Sequence, residues 1–202
     1  MSGQSRRTFT LGAMGIGIGL AVSACGKSAP ATSPYAGDLR TVALAAALEN
    51  QAVSAYQAID TVLRGGKLGP AIPALSAFVQ AAATHHKQHA ATWNAILRNA
   101  RKPAVTGTPL AGNAQLMDSI QSASNVDELV AAVRGMETQT AQTHTAAVGT
   151  LASTGPALTA AATIAPVEAM HAAALGYLLG GQSAVVSFIG TGGAVSISAL
   201  TV

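Results

Sequence analysis

The stretch A-P-V-E-A-M-H-A-A, residues 165–173, places Glu168 and His171 three residues apart in an alanine-rich run. Alanine is the strongest helix former, so the run is predicted to be helical, with both side chains on one face about one turn apart. His86 and His89 have the same spacing in a second alanine-rich run. Two such pairs predict two helices that each direct a pair of polar side chains toward a common cavity.

A glutamate that is a candidate ligand precedes each pair, Glu49 the first and Glu137 the second. Each glutamate is followed seven residues later by another polar residue, Tyr56 and His144 respectively. Seven residues make two helical turns, so the second residue lies above its glutamate on the same face. The repeat predicts two similar helix hairpins, packed antiparallel, that bring six candidate metal ligands to the centre of an all-α bundle. The six are Glu49, His86, His89, Glu137, Glu168 and His171.

This donor set meets the requirements of a dinuclear metal site. A four-helix bundle that holds two ions takes one glutamate from each of two helices and a Glu-x-x-His pair from each of the other two. His86 is the departure, because it stands where the first pair would carry glutamate. Burying three carboxylates in an apolar bundle is costly unless cations neutralise them, and two divalent ions would do so. Imidazole and carboxylate together suit iron, zinc or manganese.

Without bound ions, we expect the three carboxylates to raise one another's pKa through like-charge repulsion, so ion binding should stabilise the fold. Tyr56 is expected to donate a hydrogen bond to a ligand carboxylate. For His144 the sequence leaves two roles open, a supporting role of this kind and a role as an extra ligand. We place His85 off the site, although it lies four residues before His89 and could compete with His86. A single His-x-x-His or Glu-x-x-His motif is weak by itself, since either also occurs in helices that bind no metal.

Apolar periodicity and breaker residues predict four long helices and one short one. Asp38 is expected to cap the first helix, and Glu128 to stabilise the start of the third long helix rather than bind metal. Pro166 is expected to kink the last helix close to Glu168. The predicted helices span residues 38–63, about 70–97, 113–121, 125–152 and 156–180, with a linker at 98–109.

The first 25 residues are excluded from the fold because they resemble an export signal. S-R-R-T-F-T, residues 5–10, precedes a mildly apolar, glycine-rich run at 11–22. This arrangement favours a twin-arginine signal with Arg6 and Arg7 as the pair, the alternative being an ordinary secretory signal that begins with two arginines. The run is too short and too rich in glycine for a good transmembrane helix.

Cys25 ends V-S-A-C, a stretch that resembles a bacterial lipobox, and it is the only cysteine in the chain. An intramolecular disulfide is therefore excluded. We predict that Cys25 carries a lipid, with a free thiol or an uncleaved anchor as the alternatives. The domains are then a signal, a flexible tether, the bundle and an apolar tail rich in glycine and serine, at residues 1–25, 26–37, 38–180 and 181–202.

The charge balance argues against a nucleic-acid partner. Without Arg6 and Arg7, nine lysines and arginines face eight aspartates and glutamates, and they form no basic patch. The expected location is extracytoplasmic, with the protein anchored to the cell membrane through Cys25. Further partners left open by the sequence are a second copy of the chain and another envelope protein.

The residues that carry this pattern resemble the ferritin-like superfamily, and more closely the exported ferritin-like domain proteins of actinobacteria. The similar stretches are A-L-E-N-Q-A-V-S-A-Y at 47–56, T-H-H-K-Q-H-A-A-T-W-N-A-I-L at 84–97, K-P-A-V-T-G at 102–107 and A-P-V-E-A-M-H-A-A at 165–173. The resemblance covers about residues 38–180 and implies a ferritin-like antiparallel four-helix bundle with a di-iron centre. It favours iron over manganese or zinc and implies no substrate. His86 in place of the usual glutamate changes both the charge and the bridging geometry.

The leading interpretation is an exported, lipid-anchored, ferritin-like protein that binds two non-haem metal ions, with ferroxidase- or peroxide-type chemistry if it turns over. The alternative is a metal-free bundle that serves as an envelope scaffold or interaction module. A third interpretation is a lipoprotein that binds a nutrient metal reversibly. A membrane-tethered N-terminus argues against a closed storage shell.

Overall fold

The computed structural model describes residues 33–70, 72–152, 155–180 and 188–202. The predicted signal with Cys25, the tether up to residue 32 and part of the tail lie outside the described residues. The described secondary structure is helical apart from one isolated β-bridge, which confirms the predicted all-α class. The helices are α1 (Asp38–Arg64), α2 (Pro73–Asn99), α3 (Asn113–Ser122), α4 (Val126–Thr150) and α5 (Pro156–Leu178), followed by a 3-10 turn at Ile197–Ala199.

The start of α1 differs from the predicted cap. Gly37 precedes the helix with a φ of 55°, a conformation that glycine adopts without strain, and no side chain caps the helix. Asp38 is the first helical residue, and its Oδ2 accepts a hydrogen bond from the Ala152 amide at 2.9 Å. The predicted cap at Asp38 is therefore wrong, because its carboxylate joins the start of α1 to the residues that follow α4.

The start of α4 agrees with the prediction. The Asn125 side chain accepts a hydrogen bond from the Glu128 amide at 2.8 Å, and the Glu128 carboxylate accepts one from the Ser124 amide at 2.8 Å. These bonds satisfy amides that the beginning of a helix leaves without partners. Glu128 is thus confirmed as a residue that stabilises the helix start.

Two apolar clusters establish the directions of the long helices. The first cluster contains the starts of α1 and α5 and the ends of α2 and α4, and the second contains their opposite ends. Each long helix is therefore antiparallel to the two it packs against, since α1 and α5 each contact α2 and α4. The predicted antiparallel four-helix bundle is confirmed. The helices α2 and α4 run in the same direction, so a long crossover that contains α3 connects them.

Two asparagine side chains fix this crossover. Asn94 on α2 accepts a hydrogen bond from the Val105 amide at 2.7 Å and donates one to the Val105 carbonyl at 3.0 Å. Asn50 on α1 donates to the carbonyls of Val105 and Gly107, at 2.8 and 3.0 Å. The bonds satisfy backbone groups that would be costly to bury without partners. The predicted linker is therefore a defined loop, tied to α1 by the residue that follows Glu49.

The described part of the tail packs on the bundle as an extended segment. The Val195 amide donates to the Thr143 hydroxyl of α4 at 2.8 Å. Leu200 is buried and forms an antiparallel bridge with Leu110 of the crossover. The end of the chain thus closes over the same apolar cluster that contains the start of α1.

The helix α5 is long and apolar enough to cross a membrane, as judged by length and composition alone. It continues without interruption through Pro166, and its buried residues include Glu168 and His171. It packs against α4 and α2 and directs these ionisable side chains into the bundle, while Met170 and Tyr177 on the same helix are exposed.

Candidate metal centre

A polar band between the two apolar clusters contains all six candidate ligands. Each long helix contributes to it at the point where its contacts pass from one cluster to the other. Glu49, His86, Glu137 and Glu168 have no exposed surface, and His171 is 6% exposed. The His89 side chain is 14% exposed, so the band approaches solvent on that side.

His86 lies at the centre of the band. Its Nδ1 is 2.7 Å from Glu49 Oε2, and its Nε2 is 3.0 Å from Glu137 Oε1 and 3.5 Å from Glu168 Oε2. The Tyr56 ring stacks on the imidazole, with a centroid distance of 5.5 Å and an interplanar angle of 26°. The carboxylates at both ring nitrogens and the stacked phenol together fix the orientation of the ring.

Glu168 occupies the matching position in the second hairpin and connects two histidines. Its Oε1 is 2.7 Å from His89 Nδ1, and its Oε2 is 3.1 Å from His171 Nδ1. His171 Nδ1 also lies 3.4 Å from Glu137 Oε1. One carboxylate therefore reaches the histidines of both hairpins.

These contacts form two groups of four potential ligand atoms, and within each group all atoms lie within 4.8 Å of one another. His86 and Glu168 belong to both groups. Two ligands at right angles on one ion lie about 3 Å apart when the metal–ligand bonds are about 2.0–2.2 Å. The separations between His86, Glu168 and their neighbours fit that spacing. One group consists of Glu49, His86, His89 and Glu168, and the other of His86, Glu137, Glu168 and His171.

A polar residue of each hairpin holds the glutamate of the other. Tyr56 on α1 donates a short hydrogen bond to Glu137 on α4. His144 Nε2 on α4 lies 2.6 Å from Glu49 Oε1 on α1 and donates to it, because an ionised carboxylate only accepts. The Tyr56 contact is the one that the sequence suggested. For His144 the geometry favours the supporting role, because it contacts the Glu49 oxygen that does not face His86.

His85 lies closer to the centre than the sequence suggested. Its Nδ1 is 3.1 Å from His171 Nε2, and the two rings stack at a centroid distance of 5.3 Å. Burial and the neighbouring histidines lower the pKa of His85, whereas the pKa of His171 is raised to about 9, so the protonated His171 ring donates through Nε2 and His85 Nδ1 accepts. Such a bond through the second ring nitrogen orients many ligand histidines. His85 belongs to neither ligand group, but it contacts His171, a member of one of them. Its four-residue spacing from His89 was the available signal.

Glu49 and Glu137 are held in their charged form by histidines. Burial opposes ionisation of Glu49, but hydrogen bonds from His144 and His86 outweigh it and hold the pKa of Glu49 well below its usual value. Burial likewise opposes ionisation of Glu137, yet the charge of His86 and a hydrogen bond from His171 lower its pKa to about 2. The expected mutual rise of the carboxylate pKa values is therefore wrong for these two residues, because each lies against imidazoles.

The pKa values of the histidines shift in the opposite direction. Burial opposes their protonation, but hydrogen bonds to Glu168 and Glu49 raise the pKa of His89 to about 9. Burial has the same effect on His171, yet hydrogen bonds to Glu137 and Glu168 raise its pKa to about 9. The pKa of His86 rises well above its usual value, because the charge of Glu137 outweighs burial. Metal binding must displace protons from these rings, since a histidine coordinates through a deprotonated nitrogen.

The surroundings of the buried Glu137 carboxylate indicate whether metal ions fit the band. Its Oε2 is buried and has no hydrogen-bond partner among the described residues. An unsatisfied, buried carboxylate oxygen is costly, and a cation bound to it would remove that cost. The three carboxylates and three imidazoles are also a donor set that iron, manganese and zinc accept. The residues therefore fit a pair of divalent ions.

Comparison with known protein families shows to which family the chain belongs. Residues 69–181, more than half of the sequence, match the model of the ferritin-like domain family. The chain belongs to this family. The match contains α2 to α5 and five of the six candidate ligands, whereas Glu49 on α1 precedes it. Searches of the curated proteins and of the solved structures find no match.

The sequence did not predict two aromatic residues that lie beside the candidate metal centre of this ferritin-like protein. Trp93 stacks on His144 at a centroid distance of 5.4 Å, and Phe78 lies edge-on to His171 at 5.8 Å. Both stand on α2 about two turns from His86, on opposite sides of it along the helix. That spacing places them on the face that carries the ligands, and it was the signal that could have found them.

Proposed function

We propose that this ferritin-like protein binds two divalent metal ions, iron in the first place, in the polar band between its apolar clusters. The observation that carries the proposal is the pair of four-donor groups, built from four helices and buried at the centre of the bundle. Such a concentration of ionisable groups in an apolar interior is typical of a functional site. Manganese or zinc would satisfy the same donors.

The residues divide between the two ions by their contacts. Glu49 and His89 would hold one ion, and Glu137 and His171 the other, with Glu168 offering one oxygen to each. When bound, an iron pair would supply one-electron exchange with dioxygen or peroxide, the basis of ferroxidase- or peroxide-type chemistry. In the ferroxidase case ferrous ions are also the substrate.

The protein groups around the donors prepare the site for binding. Tyr56 and His144 hold the carboxylates of Glu137 and Glu49 in place across the hairpins. The outer face of the band near His89 is the side from which ions in solution would enter. The apolar clusters lie above and below the band and exclude water from those two sides.

Metal content tests this proposal directly. The purified protein is reconstituted with ferrous iron under anaerobic conditions, freed of excess metal, and its bound metal is measured per chain. Two ions per chain are expected, and Glu128→Gln serves as a control because Glu128 caps α4. A protein that retains no iron, manganese or zinc would leave the proposal without support. Oxygen consumption on addition of ferrous iron then separates turnover from reversible storage of a nutrient metal.

The proposed location is outside the cytoplasm, with a lipid anchor at Cys25. S-R-R-T-F-T and V-S-A-C support it, although both lie outside the described residues. Replacing Arg6 and Arg7 by lysine should block export. Cys25→Ala should release the exported protein from membranes, and a membrane-bound Cys25→Ala protein with a cleaved signal would contradict the anchor.

A second candidate function, an envelope scaffold or interaction module, is favoured by an uncharged surface. After Glu137 the sequence has one charged residue, the buried Glu168. Met170, Tyr177 and Phe188 are exposed in the same part of the chain. A patch of exposed apolar residues marks an interaction surface, and these three residues would offer apolar contacts to a second copy or another envelope protein. If self-association occurs, Tyr177→Lys should weaken it in sedimentation experiments, and a monomer at all concentrations would exclude the homo-oligomer.

A further inference from the structure

The ring of His86 faces both ligand groups at once. Its Nδ1 points to Glu49 Oε2 at 2.7 Å, on the side of the group that contains His89. Its Nε2 points to Glu137 Oε1 at 3.0 Å, on the side of the group that contains His171. The two nitrogens thus face the two ligand groups, one nitrogen to each group.

The position of His86 is matched by Glu168 in the other hairpin. Glu168 directs Oε1 toward His89 and Oε2 toward His171. Among the described residues, His86 and Glu168 are the two that belong to both ligand groups. Each of the other four candidate ligands belongs to one group only.

The surroundings of His86 prevent it from turning to serve one group alone. Its side chain has no exposed surface, Tyr56 stacks on one face, and a carboxylate contacts each ring nitrogen. Rotation of the ring would remove both contacts in a close-packed interior, where shifts of this kind are costly. An ion that enters either group therefore meets a nitrogen of the same ring.

We propose that His86 bridges the two metal ions as an imidazolate, with Nδ1 bound to one ion and Nε2 to the other. This inference rests on the proposed dinuclear site. Both ring protons pass to solvent as the ions bind, the ring then carries one negative charge, and no electron is transferred. The imidazolate restores the anionic charge that a glutamate would supply at this position, and its longer span places the ions further apart than the roughly 3.5–4 Å of a typical two-metal site.

Copper substitution tests the bridge without reference to activity. The full-length protein is loaded with cupric ion, bound copper is measured per chain, and the electron paramagnetic resonance intensity is integrated at low temperature. Two cupric ions joined by imidazolate couple antiferromagnetically, so the integrated intensity should fall far below the copper content. His86→Gln should restore the full intensity of whatever copper it binds. Lys87→Gln, an exposed neighbour on α2, should behave as the wild type.

The outcomes separate this inference from the proposed function. Two coppers with full intensity, or a single copper, would overturn the bridge and leave a metal site standing. Coupling that persists in His86→Gln would assign the bridge to Glu168 and overturn the role of His86. Failure to bind any ion would remove the proposed function, and the bridge with it. The wild-type spin count decides the question even if His86→Gln does not fold.

Discussion

The hairpin α1–α2 and the hairpin α4–α5 perform the same task with different residues. Each has a glutamate on its first helix, a second polar residue two turns later, and a pair of polar residues on its second helix. Each also supports the other, since Tyr56 of the first bonds to Glu137 of the second and His144 of the second to Glu49 of the first. The site is therefore complete only when the hairpins are packed together.

The hairpins differ most at the position that His86 and Glu168 share. Glu168 connects two histidines, whereas His86 connects the two glutamates Glu49 and Glu137. In the absence of ions, three protonated histidines of the band can balance three carboxylates. The comparison teaches that histidine in place of glutamate at one position gives the bundle a group whose proton can neutralise buried acids, the task that bound metal ions would otherwise perform.

The comparison predicts that protons and metal ions compete strongly for the histidines of the site. His89 from the first hairpin and His171 from the second both have a pKa near 9, so each releases one proton when an ion binds at neutral pH. One displaced proton for each ion makes the affinity of each ion rise at least about tenfold for each pH unit below 9, and release of protons from His86 would steepen the rise. Manganous ion affinity, measured calorimetrically between pH 6.5 and 8.5, should show this slope. A flat profile would mean that the two histidines are not ligands.

The metal-free protein should respond to pH in the opposite sense. A raised histidine pKa contributes stability that is complete below the unfolded value near 6.5 and is lost as pH rises through about 9. The lowered pKa of Glu137 contributes stability that is present above its unfolded value near 4.5 and is lost as pH falls through about 2. The melting temperature measured in chelator should therefore fall toward pH 9, whereas that of metal-loaded samples should not.

His86→Glu makes the two hairpins alike and should produce the next largest effect. In chelator a fourth buried carboxylate replaces a cation, and breaking such a pair costs about 3–5 kcal/mol, so the melting temperature should fall. With ferrous iron the variant should regain stability and bind iron more tightly than the wild type. Lys87→Glu adds negative charge one residue away at the exposed surface, so it should change either melt little. A variant as stable as the wild type in chelator would show that His86 does not neutralise the glutamates.

Glu168→Gln removes the carboxylate that reaches both ligand groups. Binding of an ion at a hundred times its dissociation constant stabilises a protein by about 2.7 kcal/mol, and most of that gain should disappear. Differential scanning calorimetry with and without zinc measures it. The control Glu128→Gln weakens the cap of α4 but should keep the full gain. An unchanged gain in Glu168→Gln would place the ions elsewhere.

Removing either of the two hydrogen bonds between the hairpins should lower the metal affinity by equal amounts, and by less than the preceding substitutions. Tyr56→Phe removes a donor to Glu137, and His144→Gln weakens the donor to Glu49. Supporting partners of this kind contribute about 10-fold or more to metal affinity, so each variant should bind manganous ion at least tenfold more weakly. If one loses far more than the other, that residue is itself a ligand and the hairpins are not equivalent.

His85→Ala should give the smallest change. His85 orients His171 through one hydrogen bond, but it is exposed, and water can replace it as the acceptor. The affinity should fall by less than the tenfold expected for a buried partner. A loss as large as that of Glu168→Gln would instead make His85 a ligand.

Spacing along the helices was enough to find the candidate ligands. Helical periodicity is local, so residues three, four or seven positions apart share a face whatever the helix packs against. Glu49, Glu137 and Glu168 stood out because the chain has so few carboxylates. The start of α4 was equally local, since Asn125 and Glu128 are three residues apart. The cap at Asp38 failed because its partner, Ala152, is distant in sequence.

The sequence by itself determined that four helices carry these donors, because composition and periodicity are properties of each segment. The tertiary structure alone decided which atoms are in contact. It placed the two ring nitrogens of His86 against Glu49 and Glu137. It also formed the hydrogen bonds of Tyr56 and His144 to the glutamates of the opposite hairpins, and the contact of His85 with His171. It also set the carboxylate pKa values, which fall where like charges had been expected to raise them. Coulomb energies and hydrogen bonds depend on distances of a few ångströms between helices, and those distances exist only in the packed bundle.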